Sequence, residues 1–293
     1  MVEIVRSDSP SGQAEASPGH ARASPGHAKA LAANAKVVIF DFDGTLSLIR
    51  SGWMDVMVPM CVEQLSALGS GEPESKLTSV VEEFVWRLTG KETIYQMMAL
   101  AQAIRERGGE PLDPKAYKKV YLERLWKRIE GRIQDLRERR VPPEAYLVPG
   151  ARQMLELLMD RGLRLYLASG TDHANVQEEA ELLGVSRYFE DRIFGAQEDL
   201  TSFSKAILVR QIVSQAAFTG DQLLVFGDGY VEIEEVKKVG GVAVGVATAE
   251  PSCLAVDEWK RERLLSVGAD LIIPNYLSGE ALAGALFSGT ASV

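Results

Sequence analysis

Residues 36–45 read KVVIFDFDGT, a short apolar run that leads directly into two carboxylates. The run at 36–40 is β-branched and continuous, which is typical of a strand buried on both faces of a parallel sheet. Asp41 and Asp43 follow at positions i and i+2, and Gly44 permits a tight turn after them. Taken alone, the motif fits an ordinary Asp/Gly turn as well as it fits a catalytic site.

The same strand pattern returns four times further along the chain, with helical patterns in between. Strands are predicted at 163–168, 223–226, 242–246 and 271–273, and helices at 151–160, 203–215, 231–239 and 256–267. Strands that alternate with helices predict an α/β fold with a doubly wound, Rossmann-like parallel sheet. Ligands in such sheets bind beyond the carboxyl ends of the strands, so we expect the functional residues in the loops there.

Residues 48–148 interrupt this alternation, because they contain no convincing strand. Helical patterns cover 54–67, 77–88, 92–107 and 114–139. In the last of these, apolar residues recur at steps of three and four and give one apolar face. We therefore predict an all-helical cap domain at 48–148, inserted into a core domain formed by 35–47 and 149–293.

Residues 1–34 differ in composition from the rest of the chain. They are rich in Ser, Pro, Gly and Ala and contain a near-repeat, ASPGHAR followed by ASPGHAK. Such a segment offers little apolar surface to offset the entropy lost on ordering. We predict a disordered tail, whose composition fits neither a secretory signal nor a transit peptide.

Composition and charge narrow the function classes. The 293 residues carry 32 Lys and Arg against 41 Asp and Glu, a formal charge of −9. An acidic chain is a poor candidate for nucleic-acid binding, which requires a basic surface. No apolar run reaches the roughly 18 residues of a membrane span, and the two distant cysteines, Cys61 and Cys253, argue against a disulfide framework or a zinc site. We expect a cytoplasmic protein with no nucleic-acid or membrane partner.

Three further segments place polar side chains where predicted strands end or helices begin. Ser169 and Gly170 follow the second core strand, where a hydroxyl and free backbone N–H groups would suit an anion. Lys205 begins a helical pattern, and Asp228 and Glu232 follow the third core strand. Each segment alone is explained as well or better by a helix cap, a surface lysine or an Asp turn.

Together, these segments predict one site, since parallel strands end at the same edge of their sheet. Carboxylates at Asp41, Asp228 and Glu232 would repel one another unless a divalent cation neutralised them. An oxygen-only ligand set favours Mg²⁺ over zinc. Ser169 and Lys205 would then supply donors and positive charge to a phosphoryl group.

With these motifs in this order, the chain resembles the haloacid dehalogenase superfamily of phosphohydrolases. The four motif segments start at Asp41, Ser169, Lys205 and Asp228, and the resemblance covers nearly the whole chain after the tail. The helical insertion directly after the first motif is similar to the superfamily's C1 type of cap. Within the superfamily, the chain looks most like the phosphoglycolate phosphatase and β-phosphoglucomutase group.

The resemblance implies a role for each motif residue. Asp41 would be the nucleophile that forms an aspartyl-phosphate, and Asp43 would be the general acid and then the general base. Ser169 and Lys205 would hold the transferring oxygens. The implied Mg²⁺ ligands are Asp41, the backbone carbonyl of Asp43, Asp228 and Glu232.

Two positions refine the implied activity. Dehalogenating members lack an Asp at the position of Asp43, so its presence argues for phosphoryl transfer over carbon–halogen cleavage. Glu232 stands where many relatives have Asp, so it would support the cation either directly or through water.

Substrate contacts are predicted in the motif loops and in the cap. We assign Gly170, Thr45 and Arg50 as substrate-binding residues, although a surface cation explains Arg50 equally well. Three weaker candidates, each explained more simply without a substrate role, are Trp53, Lys91 and His173.

The predicted function is Mg²⁺-dependent hydrolysis of a small phosphorylated metabolite, such as a sugar phosphate or a phosphoglycolate-like acid. A phosphomutase of the β-phosphoglucomutase type is an alternative on the same machinery. A non-catalytic sugar-phosphate sensor is a third possibility, against which Asp41 and Asp43 argue because a binder needs neither a nucleophile nor an acid. The sequence leaves the oligomeric state open.

Overall fold

The computed structural model describes residues 3–4, 30–197, 204–215 and 218–288. Its strands are β1 (Glu3–Ile4), β2 (Val37–Phe40), β3 (Arg164–Asp172), β4 (Ile193–Ala196), β5 (Leu223–Gly227), β6 (Val242–Val246) and β7 (Leu271–Ile273). They form one sheet in the order β1-β7-β6-β5-β2-β3-β4. The six strands from β2 to β7 are parallel, and β1 pairs antiparallel with β7. The predicted parallel α/β sheet is confirmed.

Four helices between β2 and β3 form the inserted cap. They are α1 (Met54–Ser66), α2 (Glu74–Arg87), α3 (Thr93–Arg105) and α4 (Pro114–Arg137). The longest, α4, begins where the Asp113 side chain accepts a hydrogen bond from the Lys115 N–H at 2.8 Å. Its buried face includes Leu125, Ile129, Ile133 and Leu136, at the three- and four-residue steps of the sequence pattern.

The remaining helices cover both faces of the sheet. They are α5 (Ala151–Asp160), α6 (His173–Leu182), α7 (Lys205–Gln215), α8 (Tyr230–Lys238), α9 (Glu258–Ser266) and α10 (Gly279–Ala283). Val38 and Phe40 of β2 pack in one apolar cluster with α5 and α6, while Val37 and Ile39 pack in a second with α7, α8 and α9. Burial on both faces explains the unbroken apolar run in β2. No helix within the described ranges has the length and apolar character that a bilayer crossing requires.

The two linkers between core and cap run side by side. The Leu48 N–H donates to Tyr146 O at 2.8 Å, and the Val148 N–H donates to Leu46 O at 2.9 Å. Arg132 of α4 donates to the carbonyl of Ile49 at 2.7 Å in the first linker. Both linkers therefore enter the cap at one place, close to the end of β2.

The region after Ala168 differs from the sequence-based expectation. A strand end followed at once by a helix was expected, but β3 continues to Asp172 after a register irregularity, and α6 begins only at His173. Ser169 and Gly170 therefore lie within the strand rather than at a helix start. The continuation pairs with β4, a four-residue strand that was too short to produce a recognisable pattern.

The predicted tail at 1–34 lies mostly outside the described residues. Within this range, β1 pairs antiparallel with β7, the outermost of the parallel strands, and Ala32 is buried. The Ala32 N–H donates to Leu286 O at 2.7 Å. An open sheet edge offers backbone hydrogen bonds to an added strand whatever its side chains, so composition does not reveal such pairing.

Candidate active site

The ends of β2 and β5 bring the predicted acidic residues together. Phe40 and Phe226 are paired in register, and the Asp41 N–H donates to Phe226 O at 2.9 Å. Carboxylate oxygens of Asp41, Asp228 and Glu232 lie within 4.8 Å of one another. The parallel register thus gathers three carboxylates from two loops at one edge of the sheet.

Lys205, the first residue of α7, is buried beside this cluster. Its Nζ donates to Asp41 Oδ1 at 2.7 Å and to Glu232 Oε2 at 2.9 Å. Burial alone would lower the pKa of Lys205, but the two adjacent carboxylates raise it above its usual range. Burial, with the neighbouring carboxylates, raises the pKa of Asp41, and the Lys205 ammonium opposes that rise.

Glu232 is held by two donors at the start of α8. Its Oε1 accepts from the Gly229 N–H at 2.8 Å, while its Oε2 accepts from Lys205. The first bond satisfies a backbone donor at the helix start. Both oxygens therefore have partners, and Glu232 orients Lys205 towards Asp41; cation binding by Glu232 stays a prediction.

Asp43 lies opposite two hydroxyl donors of β3. Its Oδ2 accepts from Ser169 Oγ at 3.1 Å and from Thr171 Oγ1 at 2.8 Å. Its Oδ1 is buried without a hydrogen-bond partner among the described residues, and Arg50 Nε lies 3.8 Å away. Thr171 was not predicted as a site residue, although a second hydroxyl two residues after Ser169 is a readable signal.

Arg50 is buried in an ion pair that the sequence did not reveal. Its Nε and Nη2 donate to the carboxylate of Glu179 in α6, at distances of 2.7–3.2 Å. Burial raises the pKa of Glu179 to about 7, against the effect of Arg50. Arg50 is therefore not a surface cation, since it joins the first linker to the core beside Asp43.

Above about pH 8, where Glu179 is ionised, replacing it with Gln is expected to lower the free energy of unfolding by about 3 kcal/mol, because the buried Arg50 guanidinium loses the carboxylate 2.7 Å away. Urea denaturation measures this change. Glu178 is a matched control on the same helix, since its partner Arg137 and its own side chain are about half exposed. Glu178→Gln should change the unfolding free energy by no more than about 0.5 kcal/mol. Equal small changes in both variants would contradict a stabilising buried pair.

Asp228 forms an ion pair with a second lysine, Lys260. Lys260 of α9 donates from Nζ to Asp228 Oδ2 at 3.0 Å and lies 3.6 Å from Glu250. Burial would lower the pKa of Lys260, but Asp228 and Glu250 raise it above its usual range. Lys260 follows Asp228 by 32 residues, and no motif marks it in the sequence.

The cluster has the chemistry to bind a hard divalent cation. Its oxygen donors come from Asp41, Asp228 and Glu232, with no sulfur or imidazole ligand in the group. Gly44 adopts φ +75°, and a Cβ at this position would lie 2.2 Å from Asp228 Oδ2. A side chain at 44 would therefore displace this carboxylate from the cluster.

A cavity of about 90 Å³ lies between cap and core at these residues. The core contributes Asp41, Asp43, Ser169, Gly170, Thr171, Lys205 and Asp228, and the linker and cap contribute Arg50, Trp53, Thr89, Gly90, Lys91, Thr93, Gln96 and Tyr121. The cap approaches closely here, because a Cβ on Gly170 would lie 2.7 Å from the Lys91 carbonyl oxygen. Because Gly170 has no side chain, the cap loop at Lys91 can approach it closely, and Gly170 also lines the cavity.

The predicted substrate contact Thr45 and the weaker candidate His173 do not line this cavity. Thr45 is fully buried, and its hydroxyl has no partner among the described residues. The turn at Gly44 directs the chain back into the core, and a contact of Thr45 with substrate stays a prediction. His173, the first residue of α6, also lies outside the cavity lining.

Solved structures share this fold over nearly their whole length. A haloacid dehalogenase-like protein of unknown function from Agrobacterium tumefaciens matches with a TM-score of 0.54 at 20% identity, over 86% of this chain and 99% of that one. A protein described as a predicted phosphoglycolate phosphatase from Haemophilus somnus matches with a TM-score of 0.54 at 17% identity, over 85% and 98%. At these identities the likeness shows the fold.

Sequence comparison gives the family. A 5′-nucleotidase of Pseudomonas aeruginosa is 26% identical over 210 residues, which cover 71% of this chain and 81% of the relative. The family model of haloacid dehalogenase-like hydrolases matches residues 35–240, from the strand before Asp41 to the end of α8. That range contains all four predicted motifs and most of the chain. The protein therefore belongs to the haloacid dehalogenase-like hydrolases, as its motifs predicted.

Proposed function

We propose that the protein hydrolyses a small phosphate monoester, with Mg²⁺, through an aspartyl-phosphate on Asp41. One observation carries the proposal: Asp41 and Asp43 line the same cavity between cap and core, and Lys205 lies 2.7 Å from Asp41. The proposed nucleophile, the proposed acid and a fixed positive charge thus share one cavity. Membership of a hydrolase family supports hydrolysis as the outcome.

Asp41 is the proposed nucleophile. Its backbone is fixed by the hydrogen bond to Phe226, and its Oδ1 is held by Lys205. A carboxylate that attacks phosphorus divides one difficult displacement into two easier steps. The P–O bond to the leaving group breaks as the Asp41–phosphorus bond forms, and water later releases phosphate from Asp41.

Asp43 is the proposed acid and base, which moves the protons of both steps. Its carboxyl would protonate the departing oxygen in the first step and accept a proton from the attacking water in the second. The hydroxyls of Ser169 and Thr171 fix one oxygen of Asp43. Its other oxygen has no hydrogen-bond partner among the described residues and is available for this proton.

Charge at the phosphoryl group is balanced by Lys205 and a bound cation. The Lys205 ammonium would donate to a phosphoryl oxygen, and so would the Ser169 hydroxyl once its single O–H turns from Asp43 to the substrate, while Thr171 keeps its bond to Asp43. The proposed Mg²⁺ ligands are Asp41, the backbone carbonyl of Asp43 and Asp228, with Glu232 in direct or water-mediated support. When bound, Mg²⁺ polarises the phosphoryl group and neutralises its negative charge.

The cap side of the cavity suits a small polar leaving group. Arg50, Gln96 and Tyr121 line it together, and each offers hydrogen bonds to hydroxyl or carboxylate oxygens. Sugar phosphates and phosphoglycolate-like acids have such groups. The 5′-nucleotidase named among the relatives supports a small phosphorylated metabolite as the substrate class.

Phosphate release from 4-nitrophenyl phosphate and from a panel of sugar phosphates tests the proposal. Removing divalent cations with EDTA is expected to lower turnover at least about a hundredfold, and excess Mg²⁺ should restore it, because the metal supplies several kcal/mol of charge stabilisation. Undiminished turnover in EDTA would contradict the metal requirement. No turnover on any ester would favour a sensor, and isomerisation of a hexose 1-phosphate without net phosphate release would favour a mutase.

A further inference from the structure

A second cavity, of about 170 Å³, adjoins the first between cap and core. We call it the aromatic pocket, and its aromatic and cationic walls are Trp53, Trp86, Tyr230, Trp259 and Arg263. Nothing in the proposed reaction uses Trp86, Tyr230, Trp259 or Arg263. Four large aromatic side chains therefore line one cavity in a chain with 7% aromatic residues, and their concentration there suggests a ligand-binding site.

The aromatic walls come from both sides of the cleft. Trp86 lies in the last turn of α2 in the cap and packs against Trp259 of α9, with ring centroids 3.6 Å apart. The Arg263 guanidinium lies over the Trp259 ring at 4.4 Å and over the Tyr230 ring at 5.7 Å, and its Nη2 donates to the carbonyl of Trp86. Its Nη1 is buried without a hydrogen-bond partner among the described residues. A buried donor without a partner is costly and marks a place for an acceptor.

The two cavities adjoin each other and share part of their lining. Trp53, Thr89 and Asp228 line both of them. Asp228 also belongs to the acidic cluster beside Asp41, so the shared walls begin next to the proposed site of phosphoryl transfer. A leaving group bound there extends along these walls into the aromatic pocket.

The charges around the aromatic pocket restrict what enters it. Asp228, Glu250 and Asp257 line it and disfavour a second anionic group. Lys260 and Arg263 line it too and disfavour a cation. A neutral, planar heterocycle satisfies both restrictions. It stacks on aromatic faces, and an acceptor oxygen or nitrogen on it can accept a hydrogen bond from Arg263 Nη1.

We propose that the aromatic pocket binds a neutral planar heterocycle carried by the leaving group, so that the preferred substrates are sugar phosphates bearing such a ring, as in nucleoside monophosphates. The predicted preference among phosphate esters rests on the proposed phosphatase function. The aromatic pocket would favour ring-bearing esters over phosphoglycolate-like acids, because the carboxylate of such an acid would lie beside the acidic residues of the pocket.

The test compares uridine 5′-monophosphate with ribose 5-phosphate, which share the phosphorylated sugar and differ in the ring. The wild-type kcat/KM is expected to be at least about tenfold higher for the nucleotide, since stacking a base on aromatic side chains gives such factors. Trp259→Leu should lower the ratio of the two kcat/KM values about tenfold. The control is Trp126→Leu, which removes a similarly exposed tryptophan of α4 that lines neither cavity and should leave the ratio unchanged.

The outcomes separate the two proposals. Equal kcat/KM values for both esters, or a ratio that Trp259→Leu does not change, would overturn the ring site while leaving the phosphatase intact. If neither ester nor 4-nitrophenyl phosphate is hydrolysed with Mg²⁺, the proposed function fails instead. Calorimetric binding to Asp41→Asn still decides the inference in that case: tighter binding of the nucleotide than of ribose 5-phosphate, weakened by adding Trp259→Leu, supports the ring site, and equal binding refutes it.

Discussion

Asp41→Asn is expected to abolish phosphate release, with a fall in kcat of at least about 10⁴-fold, because loss of the nucleophile removes the contribution of the groups that act with it. The amide oxygen of Asn can still accept the hydrogen bond from Lys205, so the fold should persist. Initial rates on 4-nitrophenyl phosphate and circular dichroism of the same preparation measure both properties.

Asp172→Asn is the matched control for this experiment. Asp172 ends β3 and pairs with Lys118 of the cap, and it does not line the active-site cavity. Its replacement should change kcat by no more than about twofold, since it loses one partly exposed ion pair. If Asp41→Asn kept more than a tenth of wild-type activity, another group would have to be the nucleophile.

Asp43→Asn is expected to lower kcat on sugar phosphates by about 10²–10⁴-fold, the usual contribution of general acid–base catalysis. The loss should be much smaller for formation of the intermediate from 4-nitrophenyl phosphate, because nitrophenolate leaves without a proton. The second step still needs a base, so the variant should release a burst of about one nitrophenolate per enzyme and then slow. Stopped-flow absorbance measures the burst.

The leaving-group comparison separates the acid role from a structural one. A merely structural Asp43 would reduce the first step equally for both kinds of ester and would show no burst. Equal losses on 4-nitrophenyl phosphate and on a sugar phosphate would therefore refute the assignment of Asp43 as the acid.

The sheet and the motif loops could be predicted because each has a local signal. The apolar run of β2 requires burial on both faces, and parallel strands end at one edge whatever the intervening sequence. Asp41, Lys205 and Asp228 were therefore predictable neighbours although they are far apart in the chain. The cap was predictable because the apolar stripe of α4 follows the helical period.

The partners of these residues could not be predicted, since they depend on tertiary packing. Glu179 meets Arg50 across 129 positions of sequence, and both look like surface charges in the sequence. Lys260 is likewise one of many lysines until α9 places it beside Asp228. The aromatic pocket is a further case, because Trp86 and Trp259 come from different domains and share no motif.

The position of Thr45 shows the limit of motif reasoning within a loop. Thr45 follows Asp43 by two residues and was predicted to bind substrate, and the structure buries its side chain after the turn at Gly44. Side-chain direction after a left-handed glycine depends on the backbone path, which the motif does not encode. Ser169 and Thr171, two residues apart on one strand, face Asp43 together, as alternation along a strand requires.

Covalent trapping tests the central claim most directly. Wild-type enzyme and Asp43→Asn are mixed with substrate and Mg²⁺, quenched in acid and reduced with borohydride, which converts an acyl-phosphate carboxyl group to an alcohol. Peptide mapping by mass spectrometry should find homoserine at position 41, only when substrate was present, and in greater amount in Asp43→Asn. Reduction at a different carboxyl group, or none at all in enzyme that is releasing phosphate, would contradict an aspartyl-phosphate on Asp41.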